Sequence, residues 1–198
     1  MSYGEYAKLL LERVPKINDY NVISEFGRSL FTKYAFSISK VETVKDWGDT
    51  ITALTHFGSN QFLREVYLPQ VWYHRISVFD KNGNPKEGEL VDHDIGGPLC
   101  FQGDYIAKGR PLPKIESGDY LVMHDTGGYT YSLYSRFETL VSKMLLEFHF
   151  SRFNSIQAPA VYGYEPLSSG EVKFYEYKSR ETLDETLKFW GHKDPVAI

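Results

Sequence analysis

The feature that most restricts what this chain can fold into is its punctuation. From Thr32 onward apolar and polar residues alternate in short runs, and Gly, Pro or Asn-Gly interrupts each run before it reaches the length of a good helix. Thr32–Val44 is such a run, and so are the stretch ending at Gly58, His74–Phe79, Tyr120–His124 and Val172–Arg180. Between them lie turn signals: Asp80–Pro85 with Asn82-Gly83 at its centre, and Gly118-Asp119. Many short alternating runs predict a mainly β fold, a closed or nearly closed antiparallel β-barrel. The 15 Tyr and 13 Phe suit a sheet-rich core. Both ends differ. Tyr6, Leu9, Leu10 and Val14 recur as on one helix face, which Pro15 and Asn18-Asp19 terminate. Tyr20–Ser24 then reads as a buried strand, so the chain opens on a helix and strand with nothing to pair with. Residues 180–191 predict a short amphipathic helix with Glu181 and Asp184 in its first turn.

Charge and composition exclude several classes. The net charge is −4 with both signs scattered, and no basic stripe is available for nucleic acid. No apolar run approaches the roughly 18 residues of a membrane span. The N-terminus lacks the apolar core of a secretory leader, and one cysteine makes no internal disulfide, which together predict a reducing, cytoplasmic setting. Asp92-His93-Asp94 has no particular metal-ligand geometry and reads as a solvated loop. That leaves residues 96–104, GGPLCFQGD, where glycines and a proline bracket Cys100 and an acid, Asp104, follows. A free cysteine is commonly a small buried hydrophobe. A thiol between Gly turns and beside an acid is also how a reactive cysteine is displayed.

These blocks, taken with their spacing, resemble the C-terminal half of the diaminopimelate and ornithine decarboxylases, pyridoxal-phosphate enzymes built from a TIM-type barrel and a β-domain. The resemblance rests on Gly97-Pro98-Leu99-Cys100, the Gly118-Asp119 turn and Asp125-Thr126-Gly127-Gly128-Tyr129, and extends to Glu25-Phe26-Gly27-Arg28, which stands where the family has Glu-Pro-Gly-Arg. It implies that residues 1–30 are the remnant of the cofactor-binding barrel, its last helix and strand, and that residues 31–198 are the β-barrel domain. Ser135-Arg136-Phe137 recurs as Ser151-Arg152-Phe153, and without residues 138–153 the text continues the family pattern, so that segment reads as an insertion.

The same resemblance implies roles. Cys100 is the expected proton donor to the decarboxylated carbanion, presented across a dimer interface. Glu25 is expected at the pyridine nitrogen of pyridoxal phosphate, with Gly27, Arg28 and Tyr129 near its phosphate, a group that the guanidinium fork suits. Outside that context Glu25 and Arg28 read as no more than a surface ion pair. Asp104 is expected to support the same loop, and it and position 101 are expected on the substrate side. Position 101 departs from the family, which has Glu or Asp there to meet the distal ammonium of an amino-acid substrate; here it is Phe101, which cannot pair a cation as a carboxylate does. No lysine corresponds to the family's Schiff-base lysine. The expectation is therefore a decarboxylase portion inactive by itself, partnered as a homodimer or as a heterodimer with a full-length relative. The alternative is a non-catalytic homologue that regulates such a relative.

Overall fold

The computed structural model describes residues 1–100, 102–130, 153–189 and 191. Phe101 and residues 138–152 of the expected insertion lie outside the described residues. The first element is α1 (Tyr3–Arg13), started by a capping box in which Ser2 and Glu5 exchange side-chain-to-backbone bonds and followed by a 3-10 turn at Pro15–Asp19. The predicted strand at Tyr20–Ser24 is not formed. Among the described residues no strand lies alongside it to take its backbone hydrogen bonds, and an extended segment without a neighbour is not a strand. The chain continues into a second short helix, α2 (Gly27–Phe31).

The sheet begins with β1 (Ser37–Asp46) and β2 (Ile51–Thr55), an antiparallel hairpin closed where the Asp46 carboxylate accepts from Gly48 N. A helix of five residues, α3 (Leu63–Tyr67), and then β3 (Ile76–Phe79), β4 (Leu90–Gly96), β5 (Tyr105–Pro113) and β6 (Tyr120–Met123) follow. The strand order is β3-β6-β1-β2-β4-β5. All of these pairings are antiparallel except β2 with β4, which run parallel from Ile51 beside His93 to Leu54 beside Gly96. The mainly β expectation holds in a mixed sheet. The parallel pair exists because the chain leaves β2, builds α3 and the far-edge strand β3, and re-enters on the other side, the long crossover that parallel neighbours require. The sheet curls until its edge strands approach: the Arg110 guanidinium on β5 donates to the His74 carbonyl at the foot of β3. Val41, Ala53, Ile95, Ile106, Leu121 and Met123 fill the concave side, each worth up to about 1.5–3 kcal/mol of burial for the larger side chains.

Asp92-His93-Asp94 corrects the sequence reading. It lies inside β4, and His93 is fully buried, not solvated. Its Nδ1 and the Val91 carbonyl are 2.7 Å apart, while Nε2 accepts from Ile115 N. The flanking aspartates face outward on the alternating pattern, and Asp94 accepts from Gly109 N at a left-handed turn in β5. The predicted C-terminal helix forms as α4 (Leu183–Phe189), capped at Thr182 by Glu185. Before it, β7 (Val161–Pro166) and β8 (Val172–Lys178) make a separate two-stranded sheet whose residues in β8 are all exposed.

Candidate functional site

The glycine-rich loop leaves the end of β4 and turns over a buried carboxylate. Asp104 Oδ1 accepts from Ser59 N at 2.8 Å and Oδ2 from Leu99 N at 2.7 Å, and the Asp104 carbonyl accepts from Gly97 N. Both carboxylate oxygens are thus spent on backbone. Burial raises the Asp104 pKa, and the two backbone donors work against that rise. Gly97 is required by close approach, since a Cβ there would overlap the Asp104 carboxylate and the Phe57 carbonyl. Leu99 is buried and anchors the loop from below. Cys100, the next residue, is exposed, and its backbone N–H is held by the Asn154 side chain at 2.8 Å. Asn154 adopts φ 57°, the left-handed conformation that asparagine tolerates. The thiol is therefore displayed on a braced loop, and Asp104, expected on the substrate side, is directed inward as the brace.

A second grouping gathers residues far apart in sequence. The Asp125–Tyr129 block packs under α2: Thr126 N donates to the Ala35 carbonyl, Gly127 N to the Thr32 carbonyl, and a Cβ on Gly127 would overlap the Phe31 carbonyl. Asp125 and Tyr129 take φ near +60°, which turns the chain sharply at each end of the block. This brings Tyr129 and Arg28 to one indole. Trp72 meets the Tyr129 ring edge-on at 6.1 Å, and the Arg28 guanidinium lies 5.3 Å from the Trp72 ring. Arg64 on α3 joins them, 4.6 Å from the Trp72 ring and 4.3 Å from the Tyr129 ring. Its neighbour Glu65 points the other way, buried, with Oε1 2.6 Å from His74 Nε2. That inward pair fixes which side of α3 Arg64 presents.

Of the residues the sequence singles out, Arg28 and Tyr129 are brought together. Gly27 opens α2 with free space where a Cβ would stand, and Glu25 is exposed in the segment just before it. Phe26, in the place of the family's proline, packs against Tyr3 and Tyr6 and ties α1 to this segment. Arg64 and Trp72 escaped the sequence reading, because they sit in a stretch whose composition signals only a short apolar patch. Among the described residues no cluster of His, Cys, Asp and Glu is arranged to hold a metal, and no helix is long and apolar enough to cross a membrane.

Residues 33–127 match the family model described as pyridoxal-dependent decarboxylase, C-terminal sheet domain. A diaminopimelate decarboxylase of Buchnera aphidicola (subsp. Schizaphis graminum) is 37% identical over 133 residues, covering 62% of this chain and 32% of the relative. The Vibrio cholerae enzyme of the same name is 30% identical over 136 residues, 69% of this chain and 31% of the relative. The chain therefore spans about a third of the length of these relatives. A crystal structure of a diaminopimelate decarboxylase superposes with a TM-score of 0.64 at 27% identity, over 83% of this chain and 35% of the other. The Helicobacter pylori enzyme, complexed with L-lysine, shares the fold at a TM-score of 0.70 and 22% identity, over 96% of this chain and 40% of that one.

Proposed function

We propose, from a chain that carries through residues 33–127 the C-terminal sheet domain of the pyridoxal-dependent decarboxylases, that it contributes the Cys100 loop to a shared amino-acid decarboxylase site of the diaminopimelate decarboxylase type. The observation that carries this reading is an exposed thiol on a loop braced by the buried Asp104 carboxylate. A group that must deliver a proton to a carbon needs that combination of access and fixed position. Cys100 would hold the proton at Sγ and present it to the neighbouring subunit's site.

Arg28 and Tyr129 suit a phosphate, since they converge from separate segments and bring a guanidinium and a phenol together through Trp72. When bound, pyridoxal phosphate supplies an electron sink for the charge left by decarboxylation. Gly27 leaves open space for such an approach, and Glu25 is the acid this reading puts at the pyridine nitrogen. In this reading residues 1–30 belong to the barrel side of the site, residues 31–198 are the sheet domain with residues 138–153 inserted, and the setting is cytoplasmic. No lysine among residues 1–198 stands at the Schiff-base position that the resemblance calls for, so in this reading carbon dioxide release requires a barrel beyond these residues.

Sedimentation at micromolar concentration tests the shared site. A dimer whose mass falls on Phe101→Glu is expected; a clean monomer unaffected by that change overturns the reading. Phe101 itself favours a second reading. A phenylalanine next in sequence to Cys100 cannot pair a substrate's distal ammonium as a carboxylate does, which suits a non-catalytic homologue that pairs with and regulates a full-length decarboxylase. Binding to such a partner with its rate altered, and no carbon dioxide formed by this chain's own Cys100, would select it.

A further inference from the structure

We infer that Asn154 is a positioning residue for Cys100, fixing the loop backbone at the residue that carries the thiol. The inference rests on the role proposed above for Cys100 and deepens it. Two separate braces hold the loop. The Asp104 carboxylate accepts from Ser59 N and Leu99 N and so holds it from the inside. That brace ends at Leu99, which is buried, whereas Cys100 is exposed. The Cys100 N–H donates instead to Asn154 Oδ1 at 2.8 Å, across 54 positions of sequence. The loop tip is thereby fastened to a different part of the chain.

The backbone at Asn154 is shaped for that reach. Asn154 has φ 57° and ψ 14°, and Ser155 has φ 52°. Left-handed backbone is costly for residues with a Cβ, and two in succession persist only where the surroundings hold them. The start of α4 supplies the hold. Ala158 N donates to the Glu181 carboxylate at 3.0 Å, and Glu181 N donates back to the Ala158 carbonyl at 3.0 Å. Arg180 donates to the Gln157 side chain at 3.1 Å. Residues 157–158 are thus pinned to 180–181, and the left-handed turn before them carries the Asn154 side chain to Cys100. Asparagine meets both demands of the position, a tolerated left-handed φ and a side-chain acceptor. With the N–H groups of Leu99 and Cys100 both bonded, the Cα–Cβ direction of Cys100 is set and the thiol keeps only its χ1 torsion. A proton donor must lie within hydrogen-bond reach of its target, and this is what the second brace provides.

Cys100 is the one cysteine of the chain, so labelling the full 198-residue protein with 15N-cysteine gives a single amide resonance, and its exchange with water reads the bond directly. Asn154→Gly keeps the left-handed turn and removes the acceptor. Exchange of the Cys100 amide about fivefold faster is expected, the size of one lost hydrogen bond, with a parallel rise in the rate at which iodoacetamide alkylates Sγ and little change in melting temperature. Asn154→Asp keeps both the turn and the acceptor, and should return amide exchange to within about twofold of the wild type. Unchanged exchange in Asn154→Gly overturns the positioning role. So does faster exchange with an unchanged alkylation rate, which would mean that the bond does not govern the thiol, or an Asn154→Asp amide as labile as that of the glycine variant. None of these readouts needs a dimer or carbon dioxide release, so their failure is distinct from failure of the shared-site reading, which sedimentation decides.

Discussion

At the residue scale, two buried titratable groups set opposite pH dependences. His93 is held by Val91 O and Ile115 N, and burial lowers its pKa below the ordinary histidine value. Its contribution to stability is present above the unfolded pKa of about 6.5 and is lost as pH falls through the lower folded value. Denaturant unfolding followed from pH 8 to pH 5 should show that loss, and His93→Leu should flatten it. Asp104 runs the other way. Its raised pKa means that its term is fully present below the unfolded pKa of about 3.9 and is lost as pH rises through the folded value. It is retained because each oxygen accepts a backbone N–H. Asp104→Asn puts an amide N–H against one of those donors, and a loss of about 1–3 kcal/mol is expected, measured by chemical denaturation. Faster reaction of Cys100 with a maleimide should accompany it as the brace loosens. Gly97→Ala should cost a similar amount, about 1–3 kcal/mol, because its methyl overlaps the same carboxylate and the Phe57 carbonyl. If Gly97→Ala melts like the wild type, the loop is softer than this packing describes.

At the element scale, the N-terminal helix and the sheet are held by different forces. No residue of α1 is buried. Its attachment is the aromatic contact of Tyr3 and Tyr6 with Phe26 and the bond between the Tyr3 hydroxyl and Ser29 Oγ. Aromatic pairs contribute about 0.5–1.5 kcal/mol each, so α1 belongs to the low end of the stability range. Phe26→Ala is expected to expose Arg13 and Lys16 to trypsin while leaving the main unfolding transition within about 0.5 kcal/mol of the wild type. A shift of the whole transition would mean that α1 folds as one unit with the sheet. Strand β2 is the opposite case: it lies between β1 and β4, its residues are nearly all buried, and it carries the parallel pairing.

At the scale of the whole molecule, exposed apolar side chains are concentrated outside the curled sheet. Ile23, Phe31 and Tyr34 in the N-terminal segment and Phe174 and Tyr177 on β8 are each more than 60% exposed. The chain spans about a third of its relatives' length, and large apolar patches on an isolated surface favour association. Light scattering across a dilution series should show mass rising with concentration. Flat monomer scattering throughout would mean that these side chains are too dispersed to form a patch.

The sequence by itself determined the class of the fold. Alternation with period two in Thr32–Val44 and Tyr120–His124, cut by Gly and Asn-Gly turns, can bury one face only as a sheet, and that pattern is local. The same local reading located the display loop at Gly96–Asp104, because close approach needs glycine whatever surrounds it. Only the tertiary structure decided the rest. Whether Tyr20–Ser24 becomes a strand depends on a neighbour that the segment does not contain. The place of His93 in the core depends on β4 pairing with β2 from across the molecule. The meeting of Arg28, Arg64, Trp72 and Tyr129 depends on three chain segments being folded onto one indole, and contacts between residues 44 to 65 positions apart leave no periodic trace in any one of them.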